Sequence, residues 1–282
     1  MFLFKYYFMR LSFPLLILIL FIGCGDDPEP VSPIDQTIDS ETPVGSGNND
    51  VLVWSEEFDY DGAPDPSIWN IETGNGDWGW GNGEVQYYRR ENLNVSDGTL
   101  KITAKRENFG GFEYTSGRMK TQGNFSFKYG KAEIRAKLPE GQGTWPAIWL
   151  LGSSHSTLGW PFCGEIDIME QRGQPNDKSY VLGTVHWNNG SVYSPASYSL
   201  NSDNVENLSS EWHLFTMDWT DSYIKIGVDN DFYYRINTNN SMPFFDPFFF
   251  IVNVAVGGTL GGDIDPNFSE HTMEIDYIRV YQ

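Results

Sequence analysis

Apolar and polar residues alternate at a period of two along much of residues 51–282, and turn-forming pairs interrupt the alternation at short intervals. In Leu100-Lys101-Ile102-Thr103-Ala104-Lys105 the even positions are apolar and the odd ones polar. Ala132-Glu133-Ile134-Arg135-Ala136-Lys137-Leu138 repeats the pattern, as do Ile224, Ile226 and Val228. Successive side chains of a strand point to opposite faces, so each of these segments buries one face and wets the other. The interruptions carry Asp97-Gly98, Gly110-Gly111, Asn189-Gly190, Gly257-Gly258 and Gly261-Gly262, pairs suited to reversing the chain. Short strands joined by such turns predict an all-β fold, a two-sheet β-sandwich or jelly roll. With no internal repeat in view, residues 51–282 read as one domain.

Composition narrows the function. Aromatic residues make up 16% of the chain and charged residues 20%, which is too aromatic for a disordered protein. The 29 glycines and 15 prolines argue against a helical bundle. A formal charge of −20 argues against nucleic-acid binding, which depends on clustered Lys and Arg.

The N-terminus reads as an export signal. Lys5 and Arg10 precede an apolar run from Leu11 to Ile22, shorter than the roughly 20 residues that span a bilayer. The run closes on Leu20-Phe21-Ile22-Gly23-Cys24, which resembles the lipobox of bacterial lipoproteins. Residues 1–23 are therefore expected to be removed and Cys24 to carry the lipid, with several acyl chains giving stable anchorage. Residues 24–50 hold seven acids, no bases and four prolines, the composition of a disordered tether. Asp26-Asp27 resembles the acidic export signal of surface lipoproteins. The expected location is the outer membrane of a Gram-negative bacterium, facing the cell surface, with the membrane touched only through the lipid. Cys163 is the one thiol left in the body and reads as a small buried hydrophobe.

Chemistry concentrates in Trp160-Pro161-Phe162-Cys163-Gly164-Glu165-Ile166-Asp167-Ile168-Met169-Glu170. Glu165 and Asp167 are two apart and share a face of a strand. Glu170 would point the other way unless a β-bulge near Ile168-Met169 adds one residue and returns it to the acidic face. Three carboxyls so close raise one another's pKa. Glycosidases use such an arrangement, with one carboxyl ionised as nucleophile and one protonated as acid. A calcium site or an exposed acidic strand fits less well: calcium loops carry Asp and Asn at alternating positions around a Gly, and an exposed strand would not place Ile, Ile and Met between its acids.

Glu165-Ile166-Asp167-Ile168-Met169-Glu170 resembles the E-x-D-x-x-E signature of glycoside hydrolase family 16. The similarity extends through Trp54-Ser55-Glu56-Glu57-Phe58-Asp59, Gly79-Trp80-Gly81-Asn82-Gly83-Glu84-Val85-Gln86-Tyr87-Tyr88 and Tyr114-Thr115-Ser116-Gly117-Arg118. It continues in Tyr129-Gly130-Lys131-Ala132-Glu133-Ile134-Arg135, Gly143-Thr144-Trp145-Pro146-Ala147-Ile148-Trp149 and Ile275-Asp276-Tyr277-Ile278-Arg279-Val280-Tyr281. The wording is similar to bacterial laminarinases, endo-1,3-β-glucanases on a jelly roll of concanavalin A-like type.

The resemblance implies Glu165 as nucleophile, Glu170 as acid/base and Asp167 as the helper that tunes the nucleophile, with retention of configuration. It implies no cofactor for catalysis, a polysaccharide partner and a monomer. Trp145 and Trp149, four apart on one strand face, are expected as sugar platforms, since pyranose C–H faces pack on aromatic rings. Asn82 and Arg118 match glucan-binding positions, His186 matches a residue near the acid/base, and Trp80 and Trp160 are expected at outer subsites. Many family members also hold a structural Ca2+, and the matching positions are Glu57, Gly98 and Asp276, the first two through backbone oxygen. Two alternatives keep the fold: a galactan hydrolase of agarase, porphyranase or carrageenase type, and a non-catalytic glucan-binding lipoprotein. The second is opposed by the presence of all three acids. The first is opposed by the Gly79–Asn82 and Trp145–Ala147 segments and by a body with 16 bases against 31 acids, which suits a neutral polymer.

Overall fold

The computed structural model describes residues 51–188, 190 and 195–282. The signal segment, Cys24 and the tether lie outside the described residues. Two antiparallel-dominated sheets face one another, as the alternation requires. The outer sheet runs Asp231–Asn237, Tyr223–Val228, His213–Trp219, Gly130–Lys137, Glu270–Tyr281, Thr99–Phe109, Phe112–Ser116, Gln86–Tyr88. Leu52–Glu56 and Leu93–Ser96 are added to it on Glu270–Tyr281 and Thr99–Phe109. The inner sheet runs Pro195–Asn201, Leu182–Asn188, Glu165–Glu170, Thr144–Gly152, Phe248–Val256, Arg118–Lys120, Asn70–Ile71.

Burial follows the sequence pattern in the outer sheet. Gly130–Lys137 alternates buried and half-buried residues along its whole length, because one face meets the core and the other meets water. The turns behave as their residues dictate. Asp97 and Gly98 both take positive φ, 55° and 72°, and so form the two-residue reversal whose twist matches that of the paired strands.

The inner sheet departs from simple alternation. Phe248–Val256 is buried at all nine positions, Asn253 included, as expected for a strand that is otherwise apolar. Its core face packs Phe248, Phe250, Val252 and Val254 into the main cluster, while Phe249 and Ile251 join Leu151 and Cys163 in a small cluster on the opposite face. Cys163 is fully buried, and burial pushes its thiol up to about 11, so it serves packing as its sequence context predicts. Gly152 lets the strand approach this corner: a Cβ there would lie 1.9 Å from the Cys163 carbonyl oxygen. The loop entering the acidic strand is thereby held against its neighbour.

Candidate active site

Glu165–Glu170 lies between Thr144–Gly152 and Leu182–Asn188, and pairing on both edges fixes where each acid points. Glu165 faces His186 and Leu151 across the two edges, and Asp167 faces Thr184 and Trp149. The register then slips. Asp167 pairs with Thr184 but Glu170 pairs with Leu182, three residues against two, and the same slip occurs against Trp149 and Ile148. This is the expected β-bulge at Ile168-Met169, and it returns Glu170 to the face of Glu165 and Asp167. Ile166, Ile168 and Met169 are all fully buried in the core, so the apolar residues anchor the strand that carries the acids.

The strand-to-strand rows of this face assemble the site. One row reads Thr184, Asp167, Trp149, Ile251, Lys120, and the next Leu182, Glu170, Ala147, Asn253, Arg118. Residues far apart in sequence thus become lateral neighbours.

Burial and mutual repulsion set the charge state. Asp167 is 3% exposed, and burial holds its carboxyl well above the usual carboxylate range. Burial and then the Asp167 charge raise Glu165, while His186 and Arg118 pull it down. Glu165 and Asp167, two residues apart on one face, therefore titrate as a pair, and burial holds both carboxyls above the usual carboxylate range. Burial, followed by Asp167, raises Glu170 to about 8. Trp145 opposes that rise by donating its indole N–H to Glu170 Oε1 at 2.9 Å. His186 Nε2 lies 3.7 Å from Glu165 Oε1 and 3.4 Å from Asp167 Oδ2. These three residues offer atoms within 4.8 Å of one another, close enough to share a metal ion.

The residues expected to bind sugar divide into several environments. Trp149 is half-buried and donates its N–H to Asn253 Oδ1 at 2.9 Å. Trp145 is 8% exposed, so its polar edge serves Glu170 and little of its ring is open. The Arg118 guanidinium lies 4.5 Å from the Trp80 ring and 5.0 Å from the Trp149 ring, with Nε 2.6 Å from Glu72 Oε2. Burial would lower the Arg118 pKa, but Glu72 outweighs it and the net shift is upward. Asn82 donates to Glu84 Oε1 at 3.2 Å. Trp160 is 38% exposed, 6.0 Å from the His186 ring.

The positions matched to calcium flank one stretch of the last strand. An edge of the last strand pairs with Leu52–Glu56 as far as Ile278 and with Thr99–Phe109 as far as Ile275. Asp276 bulges between the two stretches, and Glu57 and Gly98 border the gap as the residues next to the two flanking strands. The Glu57 carboxylate is held by Arg279 at 2.8 and 2.9 Å, and Asp276 Oδ2 by Arg135 at 2.5 Å. Backbone oxygens of Glu57 and Gly98 with the Asp276 carboxylate would form a hard-oxygen set of the kind calcium takes.

Sequence reasoning passed over Asn253 and Glu84. Asn253 is the one polar residue in FFFIVNVAV, and an amide inside an apolar strand is a signal of a buried partner. Glu84 is 7% exposed and stands in a loop segment that no periodicity places.

A sheet face that brings three carboxyls together, each raised by burial, is an arrangement that glycoside hydrolases use. Residues 76–279 match the description "Glycosyl hydrolases family 16". The chain is 42% identical over 247 residues to a β-glucanase of Rhodothermus marinus, covering 82% of this chain and 85% of that protein. Among solved structures, the LamAcat domain from Zobellia galactanivorans superimposes with a TM-score of 0.77 at 39% identity, covering 83% of this chain and 98% of the other. The laminarinase catalytic domain from Thermotoga maritima does so at 0.75 and 44% identity, covering 82% and 98%. Two other curated relatives are longer, and the chain spans 34% and 42% of them. The chain belongs to glycoside hydrolase family 16, a retaining family, and its sandwich is that family's jelly roll.

The charge state has a consequence for stability. A carboxyl whose folded pKa exceeds its unfolded value binds its proton more tightly when folded. The contribution of Glu170 is therefore complete below its unfolded value of 4.5 and is lost as pH rises towards about 8. Stability should fall across that window, with a slope approaching about 1.4 kcal/mol per pH unit, and Glu170→Gln should make it shallower. Thermal melts at intervals between these values test this; a wild-type profile that is flat or rises contradicts it.

Proposed function

We propose that this chain is an endo-acting β-glucanase that hydrolyses 1,3-β-linked or mixed-linkage 1,3-1,4-β-glucan with retention. The observation that carries the reading is the bulge that puts Glu170 on the face of Glu165 and Asp167. Glu170, raised to about 8, is protonated at neutral pH and donates its proton to the departing glycosidic oxygen. Glu165 attacks the anomeric carbon and forms a glycosyl ester as the C–O bond to the leaving sugar breaks. Glu170, now ionised, takes a proton from water, which attacks the same carbon and releases Glu165. Asp167, two residues along the same face, tunes the charge that the nucleophile bears before attack and after release. The Trp145 N–H fixes which way Glu170 faces.

The platforms follow from the same rows. Trp149 lies beside Asp167, with Trp80 across the Arg118 guanidinium and Trp160 at the His186 end. Arg118 is ion-paired with Glu72, which suits neutral hydroxyls better than sulfate and favours a glucan over a sulfated galactan. Relatives described as a β-glucanase and a laminarinase catalytic domain support the same choice. A calcium ion at Glu57, Gly98 and Asp276 belongs to this reading as a structural clamp on the gap in the last strand's edge. So does anchorage through Cys24, since a polymer-degrading enzyme works where its polymer is.

Reducing-sugar release from laminarin, mixed-linkage glucan, agarose and carrageenan should occur with the first two alone. Glu165→Gln should abolish it while circular dichroism stays native. Normal turnover by the folded variant would overturn the assignment of the nucleophile. A chelator should lower the melting temperature and added Ca2+ restore it; an unchanged melt argues against the clamp. Cys24→Ala should move the protein from the membrane to the soluble fraction of expressing cells, and retention in the membrane fraction argues against the lipid anchor.

A further inference from the structure

A chain of hydrogen bonds runs beneath the cleft from a carboxylate without a role in the chemistry. Glu84 is 7% exposed. Its Oε2 accepts from Gln86 Nε2 at 2.7 Å and from the Tyr88 hydroxyl at 2.9 Å, and its Oε1 accepts from Asn82 Nδ2 at 3.2 Å. The Tyr88 oxygen in turn accepts from Asn253 Nδ2 at 3.2 Å. The Asn253 Oδ1 then accepts the Trp149 indole N–H at 2.9 Å. Every link runs in one direction: each group donates towards Glu84, so the polarity of the whole chain is set by the one acceptor-only group at its end.

We propose that Glu84 is a positioning residue for the glucan-binding side of the cleft, acting on the Trp149 ring through Tyr88 and Asn253 and on the Asn82 amide directly. The proposal rests on the glucanase reading above. An indole can turn about its χ angles, and a stacking platform is useful only in the plane the sugar presents. The hydrogen bond from Asn253 selects that plane, and the amide of Asn253 is itself oriented because its NH2 end must face the Tyr88 oxygen. Tyr88 is fully buried and has its hydroxyl proton committed to Glu84. Burial, followed by the Glu84 charge, raises its pKa well above the usual range, so that proton stays in place. Asn82 receives the same treatment through the other carboxylate oxygen. One buried carboxylate therefore aligns two residues expected to touch substrate, while standing outside the row of acids that cleave it.

Glu84→Gln puts an NH2 group where donors already point. It should raise KM for laminarin about tenfold, the effect of losing roughly one charged hydrogen bond, with kcat within about twofold. A merely structural role would lower kcat and melting temperature with no selective rise in KM. Tyr88→Phe breaks only the branch to Trp149 and serves if the first variant fails to fold. It should raise KM in the wild-type background and leave KM unchanged in a Trp149→Phe background, because the indole N–H it serves is gone. Equal effects of Tyr88→Phe in the two backgrounds, or a KM within about twofold of wild type in folded Glu84→Gln, would overturn the proposal. Failure of the wild-type protein to hydrolyse laminarin would instead overturn the glucanase reading and is seen in the same assay.

Discussion

One additional residue in the Glu165–Glu170 strand is the constraint on which the site depends. Without the slip at Ile168-Met169, Glu170 would point into the core among Ile166 and its neighbours, an uncompensated buried charge of prohibitive cost. With the slip, Met169 takes a place in the core and Glu170 turns to the cleft. The bulge is stable because both edges of the strand are paired, so the extra residue cannot be relieved by shifting register along one neighbour.

The face built on that bulge solves a charge problem in two ways. Among the three acids, burial outweighs the opposing Trp145 hydrogen bond and nearby cations, so their carboxyls are raised above the range of a solvated carboxyl. A few residues along the same rows, half-buried Arg118 is ion-paired with Glu72, which also binds Lys120 at 2.6 Å. The first arrangement makes proton donors, and the second holds two cations in place on one carboxylate. Trp149 stands between the two, beside Asp167 on one side and over Arg118 on the other, where an aromatic ring can screen one from the other without adding charge.

Much of this was legible in the chain. Period-two segments and the Asp97-Gly98 turn appear where the alternation placed them, because face alternation and left-handed turn geometry are local properties. The position of the bulge was legible too, since three acids within six residues have one consistent way to share a face. Trp145 was less so: its spacing from Trp149 showed a shared strand face but not that its N–H would meet Glu170, a contact set by strand pairing 25 residues away. Asn253 was missed because its partners, Tyr88 and Trp149, lie more than a hundred residues away, and Glu84 because its close neighbours Asn82, Gln86 and Tyr88 lie in a segment with no periodic pattern.

The amino-acid sequence by itself determined a two-sheet sandwich, a strand carrying three close acids and the family to which the chain belongs. These follow from short-range periodicity, turn stereochemistry and a compact motif. The tertiary structure alone decided how far burial raises the acids, which tryptophan donates to Glu170 and which to Asn253, and which buried groups lie behind them. Those properties depend on desolvation and on lateral neighbours across strands, and neither exists until the sheets have closed over the core.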